Sequence, residues 1–446
     1  MIEAAELARD NRDELLARLA SVFARREPRL QAGKYVDGLL SDLPRKNGWT
    51  LAEHAGDATP DRTQRLLDHA VWDEHQAMGV VADFVVEHLA DTFAVAVLDE
   101  SGQEKVGEHT AGVKRQYVGC AGKVANAVNV VYATYASPRG HSLVGARLYL
   151  PKEWAGDPDR RERAGVPEAV TFKTKPALAV DLLTDLESLR QLPPWVTADE
   201  VYGRDPALRA FCEHPDRDLG YVLEVPCSFR VALPHRGKVR ADHAARLVPA
   251  DGWNHRSAGP GSKGERTYEW AWIATTSPRH HLLIRRSLSD PTELAYFYTY
   301  VPEGRPVTLP TLVRVAGMRW PVEEDFRTGK GNFGLDHSQV RLYTALLRHI
   351  VLCTATLAIC AVTASATRTQ TTTLAPAPTS PYDEPPDDPG LIPLTVAETN
   401  RLYNLLTRAW HTITHHLRWN HWRRRHQARA RWFHQRARLR RATNGP

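Results

Sequence analysis

The sequence predicts an α/β protein in which helices flank a mixed sheet and acidic residues stand at the ends of strands. Residues 1–90 are predicted to be helical, because apolar residues recur there at spacings of three and four. Residues 93–102 form a short apolar strand that carries Asp99. Residues 194–203 form another, which carries Asp199. Mixed α/β sheets place functional groups at such strand ends, although an aspartate there is also an ordinary turn former or helix cap.

The remaining segments are predicted to be further strands and helices. Further strands are predicted at 112–135, 147–154, 221–233, 266–276, 280–288 and 293–301, and helices at 175–192 and 343–364. We therefore predict a helical N-terminal domain that binds DNA (1–90), an α/β core in two parts (91–220 and 309–366), a β-rich insertion between them (221–308), a Pro- and Thr-rich linker (367–393) and a basic helical C-terminal region (394–446).

The charge of the chain is unevenly distributed. The net charge of the 446 residues is +6, but residues 399–446 hold 12 arginines and no acidic residue, which leaves about −6 for the rest. A cationic arm on an acidic body predicts a polyanionic partner, either a nucleic acid or a membrane surface. Aromatic residues are interspersed among these arginines, which include Arg423, Arg424 and Arg425. We interpret the arm as a DNA contact, and packing of a basic helix on the acidic body is the alternative.

Other features limit the class of protein. The five cysteines are scattered and form no Cys-x-x-Cys pair, which favours a reducing compartment. The N-terminus lacks the layout of a secretion signal, so we expect a cytoplasmic protein. The apolar run at 350–364 is shorter than the roughly 20 residues that a membrane span needs, so it predicts a buried helix. The glycines at 259–265 lack the spacing of a phosphate loop, so we expect no nucleotide cofactor.

A third acid lies in the segment 317–341. Pro321 fits the first position of a helix, which places Glu323 in the first turn and Lys330 on the same face. With Arg319 just before the helix, this face can hold a metal ion and a phosphate together. A solvated charged helix with internal ion pairs is the alternative.

The spacing of Arg319, Glu323 and Lys330 resembles the closing-glutamate signature of bacterial insertion-sequence transposases, although Ala316 stands where that signature has a tyrosine. Further ordered blocks resemble the DDE superfamily endonuclease branch of this family: LDESG around Asp99, FKTKP at 172–176, ADEVYG at 198–203 and GLDHSQVR at 334–341. The resemblance covers roughly residues 93–364.

This resemblance implies a ribonuclease-H-like fold and a DNA transposase that cleaves terminal inverted repeats and transfers the strands to target DNA. It implies that Asp99, Asp199 and Glu323 ligate two Mg²⁺ ions, which Mn²⁺ can replace, with Asp99 bridging the ions. Arg319 and Lys330 are the implied phosphate contacts. The partners are double-stranded DNA and a second copy of the chain on paired ends, without a membrane. Further DNA contacts are expected from Lys105, Arg115, Lys173, Lys175, Trp270, Arg341, Arg423, Arg424 and Arg425.

Some assignments have alternatives. Glu324 can replace Glu323 as the ligand, although the match to Arg319 and Lys330 then slips by one residue. Lys105 can be structural, and core packing is an alternative for Trp270. Two other functions fit the same features: a metal-dependent endonuclease without strand transfer, and an inactive DNA-binding regulator that keeps the fold.

Overall fold

The chain begins with a bundle of helices. The structure, a computed structural model, describes residues 1–118, 122–261, 264–375, 384 and 386–443. Side chains start two of the helices, because Asn47 caps one in a capping box and Asp73 caps another. The helices are α1 (Ile2–Leu19), α2 (Arg26–Leu40), α3 (Gly48–His54), α4 (Asp61–Asp68) and α5 (Glu74–Leu89).

A mixed sheet follows. Its strands are β1 (Val95–Glu104), β2 (Lys114–Val118), β3 (Lys123–Ser137), β4 (Gly140–Leu148), β5 (Trp195–Ala198) and β6 (Gly220–Val225). β1 pairs antiparallel with β3, which pairs antiparallel with β4, whereas β1, β5 and β6 are parallel neighbours. Helices pack on this sheet, so the predicted ribonuclease-H-like mixed sheet is confirmed. The helices between β4 and β6 are α6 (Lys152–Ala155), α7 (Pro158–Arg163), α8 (Lys175–Ser188), α9 (Glu200–Gly203) and α10 (Pro206–Cys212).

Most strands of the predicted β-rich insertion join the core sheet. Its strands are β7 (Arg230–Leu233), β8 (Gly237–Arg240), β9 (Asn254–Gly261), β10 (Gly264–Ala274), β11 (His280–Arg286) and β12 (Leu294–Tyr300), with helix α11 (Ala241–Ala245) after β8. β12 pairs with the free edge of β6, and β11, β10 and β9 extend the core sheet to ten strands. Pairing in this way covers a strand edge that is otherwise exposed. β7 and β8 form a separate hairpin, and the predicted domain boundaries stay predictions.

The last part of the chain is helical: α12 (Leu309–Gly317), α13 (Trp320–Phe333), α14 (Tyr343–Ala366), α15 (Arg368–Thr371), α16 (Val396–Thr407) and α17 (Ile413–Thr443). α14 is long and apolar enough to cross a membrane, but its most apolar window is 100% buried within the protein. It packs against α1, α5 and β4, as expected for a core helix. Part of the predicted linker 367–393, namely 376–383 and 385, lies outside the described residues.

Gly203 allows the end of α9 to approach the sheet. A Cβ atom at this position would lie 1.9 Å from the Glu224 carbonyl oxygen, so Gly203→Ala must displace backbone. We expect this variant to lose about 1–3 kcal/mol of unfolding free energy, the usual cost of overpacking. Gly331→Ala in α13 is the control, because nothing lies within 4 Å of its Cβ. Urea denaturation should show an unchanged or slightly raised stability for the control, and equal losses in both variants would contradict the close approach.

Candidate active site

Two aspartates lie side by side at the edge of the mixed sheet. β1 and β5 are parallel neighbours, and Asp99 and Asp199 each stand one residue past the last parallel pair. Asp199 caps α9 by accepting a hydrogen bond from the Val201 amide at 2.9 Å. We expected β1 to end near Asp99. The strand instead continues to Glu104, because its pairing with β3 extends further.

The third predicted acid, Glu323, approaches the same edge from α13. This helix has Pro321 in its first turn, as its sequence predicts. Asp99, Glu323, Lys175 and Lys330 all line one cleft of about 760 Å³. The face that carries Glu323 and Lys330 therefore looks towards the carboxyl end of the parallel part of β1.

The Arg319 guanidinium connects three carboxylates at this edge. Its Nη2 donates a hydrogen bond to Glu323 Oε1 at 2.7 Å, its Nη1 lies 3.8 Å from Asp99 Oδ2, and its Nε lies 3.9 Å from Glu224 Oε2. The Arg319 and Asp99 side chains are 26% and 16% exposed, so the surrounding water screens these contacts weakly. Among the residues that the structure describes, no three Asp, Glu, His or Cys side chains are arranged to ligate one ion.

Burial and neighbouring carboxylates raise the pKa of both aspartates. Burial, followed by the charge of Asp199, raises the pKa of Asp99 to about 7. Burial, followed by the charge of Glu100, raises the pKa of Asp199. Carboxylates that share a site resist being ionised together, and a hard divalent cation relieves that repulsion by accepting their oxygens as ligands. The chemistry of this donor set therefore fits Mg²⁺ or Mn²⁺.

The two acids that follow Glu323 face another part of the sheet. Asp325 accepts hydrogen bonds from His141 Nδ1 at 2.8 Å and from the Thr134 hydroxyl at 3.0 Å. Glu324 lies 3.4 Å from Nε2 of the same histidine. His141 on β4 thus engages both acids, which favours Glu323 over Glu324 as the acid that faces Asp99.

Two of the expected DNA contacts are buried, and we correct both assignments to structural roles. Lys105 is 5% exposed, and its ammonium donates to the Ser338 carbonyl at 2.8 Å and to the Gln103 side chain at 3.2 Å. It therefore ties the end of β1 to the segment after α13. Trp270 is 1% exposed and packs in the core beneath the sheet, because β10 turns its side chain inwards.

The two lysines of the FKTKP block differ in their surroundings. Lys175 lines the cleft and forms an ion pair of 2.5 Å with Glu100. Lys173 is exposed and pairs with Asp181 at 2.7 Å. Only Lys175 therefore lies beside the carboxylates.

Two expected arginine contacts lie at other clefts. Arg341 is exposed and lines a second cleft of about 730 Å³, together with Arg45 and Arg163. The second cleft lies between the N-terminal helices and the segment that follows α13. Arg115 is exposed on β2 and lines a smaller cleft, away from the carboxylates.

The C-terminal helix α17 packs on the rest of the protein with its first part and exposes arginines further along. Its first part docks on the N-terminal helices, where Trp419 is fully buried and donates to the Asp57 carbonyl at 2.9 Å. Arg423 forms an ion pair of 2.5 Å with Glu53 in the same contact. Arg424 and Arg425 are exposed and make no ion pair with the described residues. Of the three predicted arginines, one is therefore engaged in docking and two face solvent.

Sequence reasoning missed Glu224. It stands on β6, one residue past the last pair with β5, and so continues the row formed by Asp99 and Asp199. Its sequence context, a single acid in an apolar strand, would have identified it only once the parallel pairing of β5 with β6 was known.

Comparison with known proteins identifies the family of this chain. The family model of the DDE superfamily endonucleases matches residues 18–262. A probable transposase for insertion sequence element IS701 from Microchaete diplosiphon is 26% identical over 294 residues, which cover 61% of this chain and 73% of that protein.

One solved structure is similar in part: the piggyBac transposase synaptic complex with hairpin DNA. It matches 77% of this chain and 67% of that chain, with 13% identity and a TM-score of 0.37. A TM-score of this size does not establish a common fold, so the fold assignment rests on the strand order itself.

Proposed function

This chain belongs to the DDE superfamily endonucleases, and from that premise we propose that it is a cut-and-paste DNA transposase. It cleaves DNA at the terminal inverted repeats of its element and joins the freed ends to target DNA, acting as a homodimer on paired ends. The observation that supports this most is the adjacency of Asp99 and Asp199, together with the arginine that Asp99 shares with Glu323.

The chemistry requires charge neutralisation and positioning above all. Cleavage and strand transfer are both in-line displacements at a phosphate. Two Mg²⁺ ions, or Mn²⁺ in their place, supply Lewis acidity to the attacking and leaving oxygens when they are bound. Asp99, Asp199 and Glu323 are the residues that would hold them. Arg319 and Lys330 orient the phosphate from the α13 side of the cleft.

The second cleft supports a continuous path for DNA. Arg45, Arg163 and Arg341 are exposed there, and none forms an ion pair with a described residue. The two clefts are close, because Gly102 lines the first and Lys105, three residues further on, contacts Ser338 of the second. Three residues of extended chain span about 10 Å. We therefore propose that DNA bound in the catalytic cleft extends to these arginines.

A joining reaction tests the proposed function. The protein is incubated with Mg²⁺, a target plasmid and duplexes that carry pre-cleaved ends from the DNA flanking its gene. We expect plasmid-joined products, which EDTA abolishes. Cleavage of uncut ends without any joining would identify an endonuclease instead, and DNA binding without cleavage or joining would identify a regulator.

The exposed arginines of α17 should contribute phosphate contacts. Each contact that is lost lowers the slope of log binding constant against log salt by about 0.9 for duplex DNA. We expect the double variant Arg424→Gln and Arg425→Gln to lower the slope by about 2. Glutamine keeps the helix propensity of this segment. The control pair is Arg230→Gln and Arg236→Gln, which are exposed on the β7–β8 hairpin. An equal slope in the α17 variant and the wild type would exclude this contact.

A further inference from the structure

Each of the three guanidinium nitrogens of Arg319 contacts a different carboxylate. The two terminal nitrogens face Glu323 and Asp99, and Nε faces Glu224. Glu323 receives a true hydrogen bond at 2.7 Å, whereas the contacts at 3.8 Å and 3.9 Å are ion pairs without hydrogen-bond geometry. Glu224 thus contacts a different nitrogen of the guanidinium from those that face the other two acids.

The guanidinium and a divalent ion need the same oxygens. Asp99 and Glu323 are the carboxylates that the proposed function gives to the metal, and both are engaged by the terminal nitrogens of Arg319. An arginine never loses its charge near neutral pH, so it cannot leave these acids by deprotonation. It can leave them only by turning towards another acceptor.

Glu224 can be such an acceptor, because its carboxylate already lies 3.9 Å from Nε of Arg319. Its strand, β6, is parallel to β5, and the backbone of Glu224 is fixed because α9 packs against its carbonyl at Gly203. The Glu224 side chain is 31% exposed, and its contact with Nε leaves both terminal nitrogens free to change partners.

We propose that Glu224 is a positioning residue that retains the Arg319 guanidinium while Asp99 and Glu323 are transferred to the metal. This inference rests on the proposed function. In the metal-loaded protein, Nε stays with Glu224 and the two terminal nitrogens turn to the phosphate of the DNA. Glu224 itself is not a ligand of the metal.

The test is the Mn²⁺ affinity of the full chain without DNA. This affinity is measured from the electron paramagnetic resonance signal of free Mn²⁺. We expect Arg319→Gln to tighten binding, because a competing cation is removed. Glu224→Gln should weaken binding about tenfold in the presence of Arg319, the effect of one partly buried ion pair. In the Arg319→Gln background, Glu224→Gln should weaken Mn²⁺ binding by no more than about threefold. Without the arginine, Glu224 acts on the metal only through the long-range attraction of its charge.

Thermal unfolding in EDTA gives a second readout that needs no metal. With Arg319 present, Glu224→Gln should lower Tm or leave it unchanged. In the Arg319→Gln background it should raise Tm, because it removes one of several carboxylates that then repel each other. If Arg319→Gln does not fold, Arg319→Met replaces it, since methionine also removes the charge and its flexible, unbranched side chain can fill the space.

Glu269→Gln is the matched control, because Glu269 pairs with Arg286 on the same sheet far from the cleft. It should leave Mn²⁺ affinity unchanged. An equal effect of Glu224→Gln in both Arg319 backgrounds, or a larger one without the arginine, would overturn the inference. If Asp199→Asn also leaves Mn²⁺ affinity unchanged, the proposed carboxylate site fails as well, so the two failures are distinguishable.

Discussion

Asp199→Asn should reduce DNA cleavage and strand transfer by about a thousandfold or more, the effect of losing roughly 4 kcal/mol of metal-dependent transition-state stabilisation. The fold should not change. Asp199 accepts a hydrogen bond from the Val201 amide as the cap of α9, and asparagine serves equally well as an N-cap. The substitution therefore removes a charge from the site and leaves the local structure in place.

Initial rates of end cleavage in Mg²⁺ measure this effect, with circular dichroism and Tm to check the fold. The control is Glu200→Gln, which removes the neighbouring exposed acid and should change the rate by less than about threefold, as expected for an exposed charge. Cleavage by Asp199→Asn at the wild-type rate would refute the catalytic assignment, whereas DNA binding would survive.

His141→Ala should lower the unfolding free energy by about 3 kcal/mol near pH 6, because it leaves a buried carboxylate without its cation. Asp325 is 1% exposed, and among the described residues the Thr134 hydroxyl is the hydrogen-bond partner that it keeps after the substitution. Burial lowers the pKa of His141, but Asp325 and then Glu324 outweigh it and raise the pKa to about 10.

The sign of the pH dependence follows from that shift. The pKa of His141 is higher in the folded state, so its stabilisation is complete below the unfolded value of about 6.5 and is lost as the pH rises through about 10. The difference between wild type and His141→Ala should therefore shrink to about 1 kcal/mol above pH 10, the value of a neutral hydrogen bond. Urea denaturation at several pH values measures this difference.

The control is His214→Ala, which removes a histidine that is 51% exposed beside Asp216. It should change stability by less than about 0.5 kcal/mol, as expected for a surface pair. A His141→Ala difference that stays constant from pH 6 to pH 10.5 would show that the histidine is not held in its charged form.

Local patterns predicted the parts of the site that depend on local structure. Pro321 and the spacing of Glu323 and Lys330 indicated a helix with both side chains on one face, and α13 has that form. The short apolar strands before Asp99 and Asp199 indicated the sheet edge. These features depend on helix periodicity and strand propensity, which a single sequence carries.

Features that depend on long-range pairing could not be predicted. Glu224 joins the site because of the register between β5 and β6, and Trp270 is buried because β10 extends the core sheet. Arg423 forms an ion pair with Glu53, a residue 370 positions away in the chain. Arginine-rich sequences look alike whether they face solvent or another helix, so only the fold separates Arg423 from Arg424.

The burial of α14 determines how the N-terminal helices can move. This helix contacts β4 and the helices α1, α2, α4, α5, α13 and α16, and apolar side chains of these elements belong to one continuous cluster. A hinge between the N-terminal helices and the sheet would open that cluster to water at a cost that grows with the apolar area exposed. Any DNA that the N-terminal helices bind would therefore be kept in fixed register with the carboxylates, and a fragment without residues 1–90 should aggregate instead of folding.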